Sequence, residues 1–128
     1  RVRGMKVEMI PTTEGQSNLT NYEEAYANFD WSEVEKQFTW YETGKVNMAY
    51  EALDRHLLTE RRDKTALLFS DATRNESYTF AQLSELSNKF GNVLRNLGIK
   101  KGDRVFVFMP RSPELYVSFF GILKLGAI

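Results

Sequence analysis

With one histidine and no cysteine in 128 residues, the chemistry open to this chain is narrow. The missing thiol removes disulfides, thiolate metal ligands and a cysteine nucleophile. His56 lies in the run Asp54-Arg55-His56 on what reads as an amphipathic helix. A lone histidine there is far more often a hydrogen-bonded structural or surface residue than a catalyst, and no second histidine stands at metal-ligand spacing. Gly44-Lys45 looks like the end of a phosphate-binding loop, but Val46 replaces the required Ser or Thr and Thr39 stands where the earlier Gly belongs, so a loop leading into a helix is the better account. Arg111-Ser112 combines a cation, a hydroxyl and the free N–H groups of a helix start, the physics of an anion site, although simple capping by Ser112 explains the pair more economically. Arg61, Arg62 and Lys64, and likewise Lys100 and Lys101, are short charge clusters at element ends, where solvated surface is the default. Phe29, Trp31, Phe38, Trp40 and Tyr41 could stack a nucleotide, yet packing within a small helical subdomain accounts for them more simply.

The element that positions Arg111-Ser112 is the stretch from Gly98 onward. Val105-Phe106-Val107-Phe108-Met109 is a continuous apolar run between a Lys-Gly-Asp turn and Pro110, the pattern of a parallel strand buried on both faces. Ser112 then caps a helix with Pro113 and Glu114 in its first turn, running to about Leu125 and stopped by Gly126. Its residues are apolar nearly all round, so protein must cover it on most sides. A right-handed crossover would bring a second parallel strand beside the first, with Ala127-Ile128 as its opening residues. In such sheets the chemistry sits beyond the carboxyl ends of the strands, and most of those strands are expected outside this chain.

The N-terminal half carries weaker signals. Residues 1–20 are polar and without period, an extended arm or tail. Asn21 caps a short helix, and Asp30 or Ser32 caps another through Phe38. Asn47 caps a longer helix with Val46, Tyr50, Leu53 and Leu57 on one stripe, ending near Arg61. Residues 66–69 and 77–79 form a hairpin. Thr79 and Gln82 have capping-box spacing, and Leu83, Leu86, Phe90, Val93, Leu94 and Leu97 make a helical stripe that stops at Gly98. The fold class is therefore α/β: N-terminal helices, a β-hairpin and an incomplete parallel βαβ unit.

Seventeen basic and seventeen acidic residues cancel, which argues against nucleic acid or an anionic membrane as a partner. Ser118, Gly121 and Lys124 interrupt the longest apolar run, which is too short to cross a bilayer, and no leader pattern follows Arg1 and Arg3, so a cytoplasmic location is expected.

The span Tyr78-Thr79-Phe80, Leu83, Ser87-Asn88, then Leu97-Gly98-Ile99-Lys100-Lys101-Gly102-Asp103-Arg104-Val105, Met109-Pro110, Ser112-Pro113-Glu114 and Gly121 to Ala127 resembles the opening of the large domain in the adenylate-forming superfamily of acyl-CoA synthetases, luciferases and peptide-synthetase adenylation domains. Upstream, Asn21-Tyr22, Phe29-Asp30-Trp31, Trp40, Gly44-Lys45-Val46-Asn47, Ala49-Tyr50 and Asp54-Arg55-His56 resemble the additional N-terminal segment of AMP-forming acetyl-coenzyme A synthetases. The resemblance implies three parts: the arm over 1–20, the helical N-terminal segment over 21–63, and the start of an AMP-binding domain over 64–128.

It also implies a two-step reaction for the whole protein. Acetate attacks the α-phosphorus of ATP to give acetyl-adenylate and pyrophosphate, and the CoA thiol then displaces AMP, with Mg2+ neutralising the phosphates. Acetate, ATP and CoA would be its partners, and none is expected to bind these residues alone. The family's phosphate loop, nucleotide motifs, acid pocket and catalytic lysine match nothing here, so no catalytic, cofactor-binding or metal-ligating residue is carried over, and Asp54-Arg55-His56 is given a structural role. The chain alone is expected to be inactive and to self-associate through exposed apolar surface. The alternatives are a propionyl- or medium-chain acyl-CoA synthetase and a stand-alone, non-catalytic α/β interaction module.

Overall fold

The computed structural model describes Leu19 and residues 21–128; the expected arm over 1–20 otherwise lies outside the described residues. The elements run in the order α1 (Tyr22–Ala27), α2 (Trp31–Glu35), α3 (Trp40–Thr43), α4 (Met48–Ala52), two 3₁₀ turns (Asp54–Leu58 and Glu60–Asp63), β1 (Thr65–Ser70), β2 (Asn75–Thr79), α5 (Phe80–Asn96) and α6 (Pro113–Leu125). They divide into two units, one through Val34 and one from Glu35 onward.

In the first unit Asn21 caps α1 as expected, its Oδ1 accepting from the Glu24 N–H at 3.3 Å. Asp30, not Ser32, serves α2, accepting from the Ser32 N–H at 2.8 Å. That helix is shorter than the expected run through Phe38: it ends at Glu35, and residues 36–39 are turns and a bend that lead into α3. The aromatic residues do not form a buried subdomain core. Phe29 and Trp31 meet edge-on at 5.0 Å and stay largely exposed, while in the second unit Phe38 and Trp40 stack at 4.1 Å and are half-buried. Rings pair with rings in both places, a geometry that captures part of the benefit of burial without a surrounding core.

The second unit is built around the contact of α5 with α6. Thr79 and Gln82 close the expected capping box, with the Gln82 N–H donating to Thr79 Oγ1 at 3.2 Å and the Thr79 N–H donating to Gln82 Oε1 at 2.9 Å. Leu83, Ser84, Ser87 and Leu94 are the buried face of α5. The small residues matter as much as the leucines, because α6 approaches to backbone contact: a Cβ on Gly121 would lie 2.9 Å from the Ser87 carbonyl oxygen and 3.1 Å from the Gly91 nitrogen. Only glycine fits there. α6 starts behind Ser112 with Pro113 in its first turn and ends at Gly126, whose φ of 76° is the left-handed stop that the sequence predicts.

Beyond Gly126 the chain returns beside residues 102–105. The Gly102 N–H donates to the Gly126 oxygen at 2.9 Å, the Ile128 N–H to the Asp103 oxygen at 2.7 Å, and the Val105 N–H to the Ile128 oxygen at 2.7 Å. The last two bonds bracket Arg104 from either side of Ile128, the pattern of a parallel pair. Three backbone bonds thus join the segments before and after α6, but neither segment forms a regular strand among the described residues, whose one sheet is the β1–β2 hairpin. One expectation is corrected. Residues 105–109 are not buried on both faces: Val105 and Val107 pack against Leu94, Ile122 and Ala127, whereas Phe106 and Phe108 are 89% and 92% exposed. The pleat sends alternate side chains to opposite faces, and only the α5–α6 face is covered by these residues.

The expected helix from Val46 to Arg61 is also corrected. Asn47 caps it, accepting from the N–H groups of Ala49 and Tyr50 at 3.0 and 3.2 Å, but α-helix persists only through Ala52 and gives way to the two 3₁₀ turns. Ala49, Glu51 and Leu53 are the buried residues, while Val46 and Tyr50 of the expected stripe are exposed. Tertiary bonds from Asp54 and Arg55 fix the backbone where the helix would continue. The hairpin forms as expected, antiparallel, with Leu68 opposite Ser77 and Ser70 opposite Asn75. Its turn is closed by Asp71 Oδ1, which accepts from the N–H groups of Thr73 and Arg74 at 2.6 and 2.8 Å.

Candidate functional site

Of the groups singled out in the sequence, Arg111-Ser112 lies where a parallel sheet would place its chemistry, at the start of α6 and past the carboxyl end of residues 103–109. Ser112 has extended backbone dihedrals and a buried side chain, but its hydroxyl caps no α6 N–H. It bonds instead to the Glu114 carboxylate, which also accepts from its own backbone N–H. Those two bonds, joined by one from Arg74, hold the Glu114 carboxyl below its usual range. Arg74, in the hairpin turn, reaches Glu114 Oε1 at 3.3 Å and Glu76 Oε1 at 3.5 Å, and its guanidinium lies 5.0 Å from the centre of the Phe69 ring. The Glu114 bond, more than the neighbouring carboxylates, pushes the guanidinium pKa further up.

The consequence is chemical. A helix start attracts anions, and here the protein's own carboxylate meets that demand, with a cation from the hairpin closing the circuit. Arg111 is exposed. This arrangement ties the hairpin to α6 and corrects the capping expectation: the Ser112 hydroxyl is spent on the Glu114 carboxylate, which itself occupies the helix start.

His56 sits in the first 3₁₀ turn with its ring 5.0 Å from Phe80, edge-on. Burial, followed by the charges of Arg55 and Arg61, lowers its pKa, while Glu51 opposes the shift. The imidazole is half-buried against an aromatic ring and packs between elements. Its neighbours in the run are more heavily engaged. Arg55 donates to Glu51 Oε2 at 2.8 Å and to the Gln37 carbonyl at 2.9 Å and lies over the Phe38 ring. Burial pushes the Glu51 carboxyl up, but bonds from Thr39 and Arg55 outweigh it and leave the pKa lowered. Asp54 faces Lys124 of α6 at 2.7 Å. Gly44, with φ of 64°, ends α3, which removes the phosphate-loop reading of Gly44-Lys45. Arg61, Arg62, Lys64, Lys100 and Lys101 are all exposed.

Sequence reasoning missed two cross-element contacts, Arg74 with Glu114 and Asp54 with Lys124. A signal existed for the second: Lys124 is the one cation inside an otherwise apolar helix, and such a charge needs a partner. No three His, Asp or Glu side chains converge on one point among the described residues, so no magnesium site is assigned to them. An apolar cleft of about 200 Å3 is lined by Leu53, Leu67, Phe80, Leu83, Tyr116 and Phe120 among others, with the Tyr116 phenol as its one polar side chain. The described contacts join a hairpin, a helix pair and the backbone pairing of residues 102–105 with 126–128, cross-braced by ion pairs.

Comparison with known proteins agrees with this architecture. The family model described as AMP-binding enzyme matches residues 53–128, more than half of the chain. This chain belongs to the AMP-binding enzyme family. Among curated relatives, the acetyl-coenzyme A synthetase of Bacillus subtilis (strain 168) is 57% identical over 125 residues, covering 97% of this chain and 22% of the relative. That of Pasteurella multocida (strain Pm70) is 42% identical over 101 residues, covering 78% of this chain and 15% of the relative. The chain therefore spans about a fifth of the length of these relatives. Among solved structures, the Brucella canis acyl-CoA synthetase superposes with a TM-score of 0.70 at 31% identity, covering 84% of this chain and 19% of that one. Both the α/β class and the resemblance stated from the sequence are borne out. No helix among the described residues is long and apolar enough to cross a membrane.

Proposed function

We propose that the protein carrying this chain is an AMP-forming acetate:CoA ligase, and that these residues supply the N-terminal part of its scaffold rather than its reacting groups. The 57% identity across 97% of the chain to a protein named acetyl-coenzyme A synthetase carries the reading. In that reaction a carboxylate oxygen of acetate attacks the α-phosphorus of ATP and pyrophosphate leaves. The CoA sulfur then attacks the acyl carbon, AMP leaves with the oxygen that came from acetate, and the thiol proton passes to solvent. Residues 21–63 form the helical N-terminal segment and residues 64–128 open the AMP-binding domain. The chain's own contribution is positional. α5 and α6 cover one face of the first parallel pair, and Arg74 with Glu114 fixes the loop at the carboxyl end of its first strand. ATP, CoA and Mg2+ act elsewhere in the protein, whose location is cytoplasmic. Residues 1–128 alone are inactive and self-associate through the exposed face of Phe106 and Phe108.

Acetate-dependent exchange of labelled pyrophosphate into ATP tests the reading. The whole protein is expected to exchange with acetate and less well with propionate or butyrate, and residues 1–128 alone are expected not to exchange. A preference for propionate or a longer acid would transfer the assignment to another acyl-CoA synthetase. Exchange by residues 1–128 alone would overturn the scaffold role, and sedimentation of that piece as a monomer would remove the self-association.

A further inference from the structure

Two side chains from residues 47–54 reach the last turn of α6. Asn47, already engaged as the cap of α4, donates its Nδ2–H to the Leu123 carbonyl at 3.3 Å. That carbonyl, in the last turn of α6, also accepts from the Gly126 N–H at 3.0 Å. Asp54 Oδ1 meets Lys124 Nζ at 2.7 Å. The ammonium also donates to Asn88 Oδ1 at 2.9 Å, to Ser84 Oγ at 3.2 Å and to the Ser84 carbonyl at 3.3 Å, while the Ser84 hydroxyl donates to Asp54 Oδ1 at 2.6 Å. The Lys124 and Asp54 side chains are only 12% and 23% exposed. Three elements, the first 3₁₀ turn, α5 and α6, thus converge on one cation.

Apolar residues in place of both Lys124 and Asp54 would pack in this setting with no desolvation penalty, so tight binding of the elements does not require the charge pair. What the charge adds is direction. The ammonium's three protons are shared among a carboxylate, a carbonyl, an amide and a hydroxyl acceptor from two other elements, which favours the observed rotation and height of α6 over its neighbours. That height sets where the returning strand begins, because Gly126 and Ala127 come directly after the last turn of the helix. In the observed pairing Ala127 is 4% exposed and Ile128 is 69% exposed. A slip of one residue against residues 102–105 would turn Ile128 inward, where Ala127 now fits, and turn Ala127 out.

We propose that Asp54 and Lys124, assisted by Asn47, Ser84 and Asn88, are positioning residues that lock the register of the parallel pair formed by residues 102–105 and 126–128. The inference concerns the scaffold and stands whether or not the ligase reading does. It is tested by hydrogen exchange with mass spectrometry on the protein that carries this chain, comparing the native protein with Lys124→Met, Asp54→Asn and Lys124→Arg. Peptides covering 102–107 and 124–128 report the pair, and a peptide within residues 65–79 reports the hairpin, which makes no bond to the lock. Asp54→Asn preserves volume and keeps the test open if Lys124→Met does not fold. The lock predicts that exchange in the pair rises roughly tenfold in Asp54→Asn and Lys124→Met, the loss of about one hydrogen bond to a charged group. The hairpin is unchanged, and Lys124→Arg retains protection. Native exchange in Asp54→Asn overturns the proposal. So does an equal rise in pair and hairpin, which would mark a general loss of stability.

Discussion

Replacing Gly121 with alanine isolates the contact on which the α5–α6 pair rests. The added methyl would stand 2.8 Å from Phe90 Cδ1, 2.9 Å from the Ser87 oxygen and 3.1 Å from the Gly91 nitrogen. The Phe90 ring can swing aside. The other two atoms are backbone of the facing helix, so relief comes only by moving the helices apart and loosening Leu94, Ile122 and their neighbours. Overpacking of this kind costs about 1–3 kcal/mol, and the helix-propensity gain of alanine over glycine returns up to about 1 kcal/mol. With two backbone atoms at 2.9 and 3.1 Å the cost lies toward the upper end, about 3 kcal/mol, and the expected net loss is about 2 kcal/mol. Gly91, across the same contact, is the control: its added methyl would sit 3.4 Å from the Gly121 oxygen and 4.0 Å from the Gly121 Cα, ordinary packing distances. There the propensity gain dominates, and Gly91→Ala should be neutral or stabilising by up to about 1 kcal/mol. Urea titration of both variants beside the native protein, with slopes compared to confirm a common denatured state, measures the difference. If Gly91→Ala proves the more damaging of the two, or Gly121→Ala costs nothing, the described approach of the helices is wrong.

Leu53→Ala removes a side chain that is 1% exposed and should cost about 2–5 kcal/mol in the same titration, whereas Leu58→Ala, at a residue 86% exposed, should stay within about 0.5 kcal/mol. Thr79→Ala breaks the capping box of α5 and should cost about 1 kcal/mol, with Thr79→Ser recovering most of it. The Glu51 carboxyl is held below its usual range, so its contribution is present above about pH 4.5 and lost as pH falls through the lowered folded value; a Glu51→Gln variant should show a flatter acid limb in stability against pH. His56 is likewise lowered, so the unfolded chain takes up the proton first and stability declines as pH drops below about 6.5; His56→Gln should remove that part of the decline.

Elements whose signals were local could be read from the sequence. Thr79 with Gln82 and the stop at Gly98 outlined α5, and Ser112-Pro113-Glu114 with Gly126 outlined α6, because caps and left-handed stops act within a few residues. The return of the chain beside residues 102–105 could be inferred from Gly126-Ala127-Ile128, since handedness and twist leave a crossover helix few places to deliver its chain. Residues 46–61 misled because the partners that break the helix, Lys124, Ser84 and the Gln37 carbonyl, are distant in sequence. Phe106 and Phe108 read as buried because an apolar run carries no record of which face these residues cover. Of the candidate site, the position of Ser112 at the start of α6 was legible, but its bond to Glu114 in place of a cap and the Arg74–Glu114 bridge were not: the arginine lies in a turn that periodicity does not describe.

The fate of oxygen from the acid tests the ligase assignment most directly. With acetate labelled with ¹⁸O in both carboxylate positions, the protein that carries this chain should release AMP bearing one labelled oxygen on its phosphorus for each acetyl-CoA formed, because that oxygen attacks the α-phosphorus and stays there when CoA displaces AMP. Unlabelled AMP, or label recovered in inorganic phosphate alongside ADP, would contradict the assignment of this chain to an AMP-forming ligase.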